Sequence, residues 1–295
     1  MTELLQNLVD GLGRGSIYAL LALGIAVIFG VMHLVNFAHG ELITVSAYVA
    51  YWLIQGGRNW YVVVPMIVLT ATLTSIIIEA VAFRWVRGAP DFTMLLTSFG
   101  VHFLVQAAFV MYVSASVKTY ARPTWIADTY NIAGINLEIV DLYTIGATIV
   151  TLAITVWILQ KTMFGLSLRA AAEDFDAARL MGVKSDRVIR GAFALSGVLA
   201  GVASVFWLMR SGQATPSAGE GPMLKGVLAA LIGGLGSMPG AVVGGLVLGV
   251  AEVLLRAYLP GSVASLTEGV VFVLIALLFI FRPQGIINVS HAERV

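Results

Sequence analysis

The hexapeptide Asn36-Phe37-Ala38-His39-Gly40-Glu41 places an amide, an imidazole and a carboxylate at the start of an apolar stretch. Ionisable groups are costly in lipid, so inside such a stretch they normally face a bundle interior or a watery cavity, where they line a substrate path or relay protons. A local role is equally open. Asn36 can cap a helix, and Glu41 in its first turn is favoured by the helix dipole. The two roles coexist if a broken helix lines the path. A His39-x-Glu41 pair by itself makes a metal site a weak reading. Two more carboxylates, Glu79 and Glu252, sit in apolar surroundings. Glu79 precedes Arg84 by five residues and reads as an interfacial anchor or ion pair. Glu252 follows Gly240, Gly244, Gly245 and Gly249, a small-residue pattern that lets helices approach closely, and reads as part of a packing face. Gly197 and Gly201 repeat that spacing.

A second polar group lies between apolar stretches. Lys161, Arg169, Arg179, Lys184, Arg187 and Arg190 are six of the seventeen Lys and Arg in the chain, and the positive-inside rule puts residues 161–190 in the cytoplasm. Within this segment Ala170 to Gly182 reads as one short helix outside the membrane. Its alanines favour helix, Glu173, Asp174 and Asp176 fill the early turns, Arg179 stands in the last turn and Gly182 stops it. Phe175, Ala178 and Met181 recur every third residue and form one apolar stripe. That stripe, with Ala177 beside it, suits a groove in a partner protein, since a helix lying on lipid would carry more Lys and Arg on its polar face. Catalytic motifs are missing from the sequence. There is no Gly-Lys-Ser/Thr phosphate loop, no Gly-x-Ser-x-Gly elbow, no His-Glu-x-x-His and no carboxylate-rich metal cluster.

The elements that must position these groups follow from composition. The chain has 295 residues, 59% hydrophobic and 11% charged, with a mean hydropathy of +0.94. A soluble domain has about 45–50% apolar and about 25% charged residues, so the bilayer is the natural solvent here. A net charge of +1 provides no basic field for nucleic acid. With no cysteine, disulfides, thiol catalysis and Cys-based metal centres are excluded. No basic residue precedes the first apolar run, which therefore reads as a retained span and not a cleaved signal.

Crossing a core about 30 Å thick takes about 20 mostly apolar residues. Eight stretches qualify: Val9–Phe29, Leu34–Ile54, Val62–Ala82, Met94–Ser114, Val140–Leu159, Val188–Met209, Met223–Leu255 and Val263–Phe281. The seventh is over-long and holds Gly233, Gly234, Gly236, Pro239 and Gly240, a run that should break or unwind it. Either two half-helices or an additional crossing would fit. Non-helical backbone at that depth is tolerated only in a protein interior or along a cavity. The expected fold is therefore an all-α, polytopic integral membrane protein with about eight transmembrane helices, at least one broken, and residues 1–295 as one domain. Counting outward from residues 161–190 puts the Arg84/Arg87 loop inside and both termini outside. Val117 to Asn136 reads as a structured surface loop. Ala38-His39-Gly40-Glu41 is echoed by Ala218-Gly219-Glu220, which fits either two repeated halves or chance in a glycine-rich chain.

Five motifs in order carry a resemblance. Asn36 to Glu41, Arg169-Ala170-x-Ala172-Glu173-Asp174, Ala178-x-Leu180-Met181-Gly182, Ile232-Gly233-Gly234-x-Gly236-Ser237-x-Pro239-Gly240-Ala241 and Arg282-Pro283-x-Gly285 resemble those of branched-chain amino-acid ABC transporter permeases, the smaller permease of the pair. The resemblance spans nearly the whole chain. It implies a non-catalytic subunit in the bacterial inner membrane, working by alternating access. The implied partners are a second, larger permease in a heterodimer, two cytoplasmic ATPases and a periplasmic substrate-binding protein, with lipid around them. It implies no cofactor on this chain, ATP and Mg being held by the ATPases. Glu173 to Gly182 would be the coupling helix entering an ATPase groove, and Asn36, Phe37, His39 and Glu41 an interior element of the pathway. A urea or short-amide importer shares much of the motif set, and a stand-alone channel or ion-coupled transporter using Glu41, Glu79 and His39 is a third reading.

Overall fold

The computed structural model describes residues 2–126, 128–132 and 135–259, and beyond them 269–273, 276, 280 and 285. The eighth apolar stretch lies largely, and Arg282-Pro283 wholly, outside the described residues. In chain order the helices are α1 (Thr2–Met32), α2 (Glu41–Gln55), α3 (Trp60–Ile78), α4 (Asp91–Tyr112), α5 (Ile139–Lys161), α6 (Met163–Glu173), α7 (Phe175–Leu180), α8 (Ser185–Ser211), α9 (Glu220–Gly233) and α10 (Met238–Tyr258). Six helical stretches among the described residues are long and apolar enough to cross a membrane: α1, α3 with its continuation to Val86, α4, α5, α8 and α10. In α1 and α8 most of the apolar window is buried inside the protein, so these two form the centre. A helix that is apolar on every side belongs in such a place. By contrast α4 buries only Met94, Ser98 and His102, one stripe at a spacing of four, and lies at the periphery.

Two of the expected spans are not continuous. α1 ends at His33, whose φ of +53° is left-handed, and the chain turns back into the bilayer through Asn36. The Asn36 side chain caps a 3-10 turn, Phe37–Gly40, by accepting from the Ala38 N–H at 3.0 Å. Only then does α2 begin. The stretch Met223–Leu255 also divides. α9 stops at Gly233, Gly234 and Gly236 take φ of +102° and +88°, and α10 starts at an N-cap, Ser237, whose Oγ accepts from Gly240 N–H at 3.0 Å. Pro239 falls in the first turn of α10, where it has no helical N–H to lose. At about 1.5 Å per residue α2 and α9 reach only about 21–22 Å, too short for a core about 30 Å thick. They are half-helices.

Both half-helices begin at one point. Gly40 and Gly219 pack backbone to backbone: a Cβ on Gly40 would stand 2.8 Å from the Gly219 carbonyl oxygen. The Gly219 N–H also donates to Thr44 Oγ1 at 3.1 Å. From this contact α2 and α9 run in opposite directions, α9 ending where Gly236 lies near Phe29 in the last turn of α1. Two positive helix ends therefore face each other, and Glu41 and Glu220 in the two first turns offset that repulsion.

The surrounding helices follow the same inversion. α10 packs along α1 as α3 packs along α8, and α2 lies by α3 as α9 lies by α10. Glycines four apart mediate both central contacts. Cβ atoms on Gly11 and Gly15 of α1 would be 2.7 and 2.9 Å from the Cα atoms of Val250 and Leu246; on Gly197 and Gly201 of α8 both would be 2.8 Å from the Cα atoms of Thr72 and Val68. A methyl group at any of these positions would force the helices apart. The echo between Gly40-Glu41 and Gly219-Glu220 is thus the sequence trace of two inverted halves.

On the outer side β1 (Lys118–Thr119), β2 (Thr129–Ile132), β3 (Ile135–Glu138) and β4 (Gln213–Ala214) form two small antiparallel pairs, β1 with β4 and β2 with β3. Gln6 ties this cap to α1 through reciprocal bonds with the Asn136 backbone, 2.7 and 2.8 Å. Gly285 packs on Gly234 at the end of α9, and the expected outer C-terminus lies outside the described residues. The over-long stretch supplies a half-helix and a full crossing, and the count of spans shifts accordingly.

Candidate functional site

Asn36, His39 and Glu41 come together in the protein interior, beside the middle of α4, with relative exposures of 3%, 1% and 0%. His39 lies against Gly24 of α1, its Nδ1 3.3 Å from Ser196 Oγ of α8. Its Nε2 has no partner among the described residues. Glu41 Oε1 lies 2.7 Å from His102 Nδ1 of α4, off the alignment of a hydrogen bond, so the contact is an ion pair or a shared proton. Phe37 is half-buried and stacks on Phe99, ring centroids 4.3 Å apart. None of the four cavities described is lined by Asn36, His39 or Glu41.

Sequence reasoning missed two members of this centre. His102 is a basic residue in the middle of an apolar span, a signal the same rule that picked Glu41 could have used. Glu220 starts α9 and is exposed, close enough to act electrostatically on both Glu41 and His102.

Residues 170–182 differ from the expected single helix. Asp174 breaks it, ending α6 and capping α7 by accepting from Asp176 and Ala177 N–H at 3.1 and 3.0 Å. Glu173 therefore closes one helix instead of opening another, and α7 has six residues. The stripe also divides. Ala178 is buried and Phe175 half-buried, whereas Leu180 and Met181 are 88% and 86% exposed. Ala177, Arg179 and Gly182 are exposed, Gly182 with φ +88° stopping the turn. Phe175, Asp176 and Arg179 overhang a cavity of about 690 Å³, which is also lined by Met32 and His33 of the α1 end and by Asp186 of α8.

Two ion-pair clusters secure opposite ends of the inverted halves. Where α3 and its continuation meet the start of α8, the Arg87 guanidinium bonds both Glu79 and Asp186, and Arg190 Nε stands 3.7 Å from Glu79. Glu79 is thus the expected ion pair, but with Arg87 and Arg190 instead of Arg84; it opens a π-helical turn, Glu79–Phe83. Toward the outer side Glu252 accepts from Tyr18 Oη and Lys225 Nζ, each at 2.8 Å, with Arg256 at 3.6 Å. The packing face expected there is present, and Glu252 adds a buried carboxylate joining α1, α9 and α10. Among the described residues no group of three or more His, Cys, Asp or Glu could hold a metal ion.

Residues 7–291 match the family described as the permease component of the branched-chain amino acid transport system. The chain is 32% identical, over 99% of its length and 98% of the relative, to the high-affinity branched-chain amino acid transport system permease protein BraD of Pseudomonas aeruginosa. Identity to the corresponding LivH protein of Escherichia coli K12 is also 32%, over 99% and 97%. It is 26% to the LivH protein of Methanocaldococcus jannaschii, over 93% and 90%. Among solved structures, a metal-chelate type ABC transporter in an inward-facing conformation aligns with a TM-score of 0.49 and 19% identity, over 94% of this chain and 85% of that one.

Proposed function

We propose, from the premise that this chain belongs to the family of branched-chain amino acid transport permeases, that it is the membrane-embedded permease subunit of an ATP-driven importer for such amino acids. It is a multi-pass protein of the bacterial inner membrane. The observation that carries the mechanism is the mid-bilayer meeting of two half-helices in two inverted halves. Such an arrangement gives a transporter a fixed centre about which outer and inner openings alternate.

In this reading the chain carries no catalytic centre and no cofactor of its own, ATP and Mg being bound by two cytoplasmic ATPases. α7 enters an ATPase groove by its exposed Leu180 and Met181, while Phe175 and Ala178 hold it to the protein. A second, larger permease completes the pathway, and a periplasmic binding protein delivers the substrate. Asn36, His39 and Glu41 form the rigid wall behind the path, and Phe37 stands nearest to it. The test is growth: a leucine auxotroph lacking other importers should grow on limiting leucine when the complete gene set is expressed, and fail without this chain. Growth independent of the chain, or rescue of a urea-requiring strain alone, would contradict the proposal.

A further inference from the structure

Glu220 has the only charge on an exposed stripe of α9, Glu220, Gly221 and Leu224, that starts at mid-bilayer. Its depth follows from its neighbour: Gly219 packs on Gly40, and the adjoining Glu41 pairs with His102, midway along α4. The adjoining Glu41 is buried beside a basic partner, as is Glu252 farther along α10. Glu220 makes no hydrogen bond or salt bridge among the described residues. An exposed, unpaired carboxylate at this depth does not face hydrocarbon; it faces water in a path or a charge brought to it. The Phe37–Gly40 turn, packed through Gly40 on Gly219 and Met223 at the start of α9, brings an aromatic shelf to the same region: Phe37 stacks on Phe99, and Phe103, 62% exposed, continues the stack.

We infer that Glu220 is a substrate contact, its carboxylate receiving the α-ammonium group of an amino acid at mid-bilayer while the Phe37–Phe99–Phe103 shelf meets the apolar side chain. The inference rests on the importer reading and adds a residue and a charge to it. Glu41 cannot fill this role, because it is fully buried and paired. No cation among the described residues is bonded to Glu220, so its carboxylate can receive an ammonium group, and its exposure to water keeps that hold weak enough for release, as a passage must.

Proteoliposomes containing the complete importer, with leucine as probe, separate the possibilities. Glu220→Gln should reduce leucine uptake at least tenfold and raise the ATP hydrolysed per leucine moved, with Glu220→Asp recovering most of the uptake. Wild-type uptake and ATP ratio in Glu220→Gln would overturn the inference. If the wild-type complex moves no leucine, the importer reading fails first. Because the chain has no cysteine, Leu224→Cys gives a single thiol that does not depend on Glu220. It should react with a water-soluble maleimide and be protected by leucine. A thiol that stays unreactive in every state of the transport cycle would place the stripe against lipid or a partner subunit and also overturn the inference.

Discussion

At the scale of single residues, the protein handles charge in a bilayer by pairing nearly every group it buries. Glu41 depends on His102, and removing one member of a buried pair costs about 3–5 kcal/mol because the other is left uncompensated. His102→Ala should therefore lower the thermal unfolding temperature of the detergent-solubilised chain, and His102→Ala with Glu41→Gln should recover part of the loss. A double variant less stable than His102→Ala would show that the pair is not what stabilises the site. Gly219 is a steric case. Gly219→Ala would put a methyl group into the Gly40 backbone, and assembled protein should fall sharply on size-exclusion chromatography while Gly221→Ala, which meets nothing within 4 Å, is tolerated. The sequence exposed Glu41 as unusual, because a carboxylate in an apolar stretch stands out. It did not reveal the partner, since His102 lies on a different helix and pairing across sequence leaves no local pattern.

At the scale of elements, two helix-breaking signals had different legibility. The glycine run at Gly233–Gly240 was readable because Gly234 and Gly236 must take positive φ. The break before α2 was readable only in part: Asn36 offers a cap and Glu41 a first-turn acid, but the 3-10 turn that Asn36 caps, Phe37–Gly40, and the shortness of the helix after it leave no mark in the sequence. Asp174 was read as part of an acidic first turn, yet its side chain competes for backbone N–H groups and starts a new helix instead. In the proposed importer that cap moves the docking surface to Leu180 and Met181. Leu180→Asp or Met181→Asp should abolish ATPase co-purification and uptake while membrane insertion continues, because both side chains point away from the protein. Ala178→Asp should instead reduce the amount of folded chain, as Ala178 is buried. Equal ATPase recovery for Met181→Asp and wild type would remove α7 from the coupling role. Arg87 joins the end of α3 to the start of α8 through Glu79 and Asp186, so Arg87→Ala should raise ATP consumption per substrate moved, measured in the reconstituted complex.

At the scale of the whole molecule, composition alone identified a membrane protein and the order of five motifs its family. The inverted relation between halves was present in the sequence only as Gly40-Glu41 and Gly219-Glu220. Two glycines kept for one backbone contact need no longer similarity around them, and the helices that follow run in opposite directions. The resulting molecule has a glycine-packed centre, ion-pair clusters at its two ends and a short helix, α7, at whose end two apolar side chains are presented. Such a permease transports only when a motor acts on it. The most direct measurement is uptake of labelled leucine into proteoliposomes containing this chain with its second permease and ATPases, with binding protein on the outer face and ATP inside. An ATP-driven importer predicts accumulation above the external concentration, lost when ATP is omitted or Met181→Asp is substituted; accumulation without ATP, or by this chain alone, would contradict it.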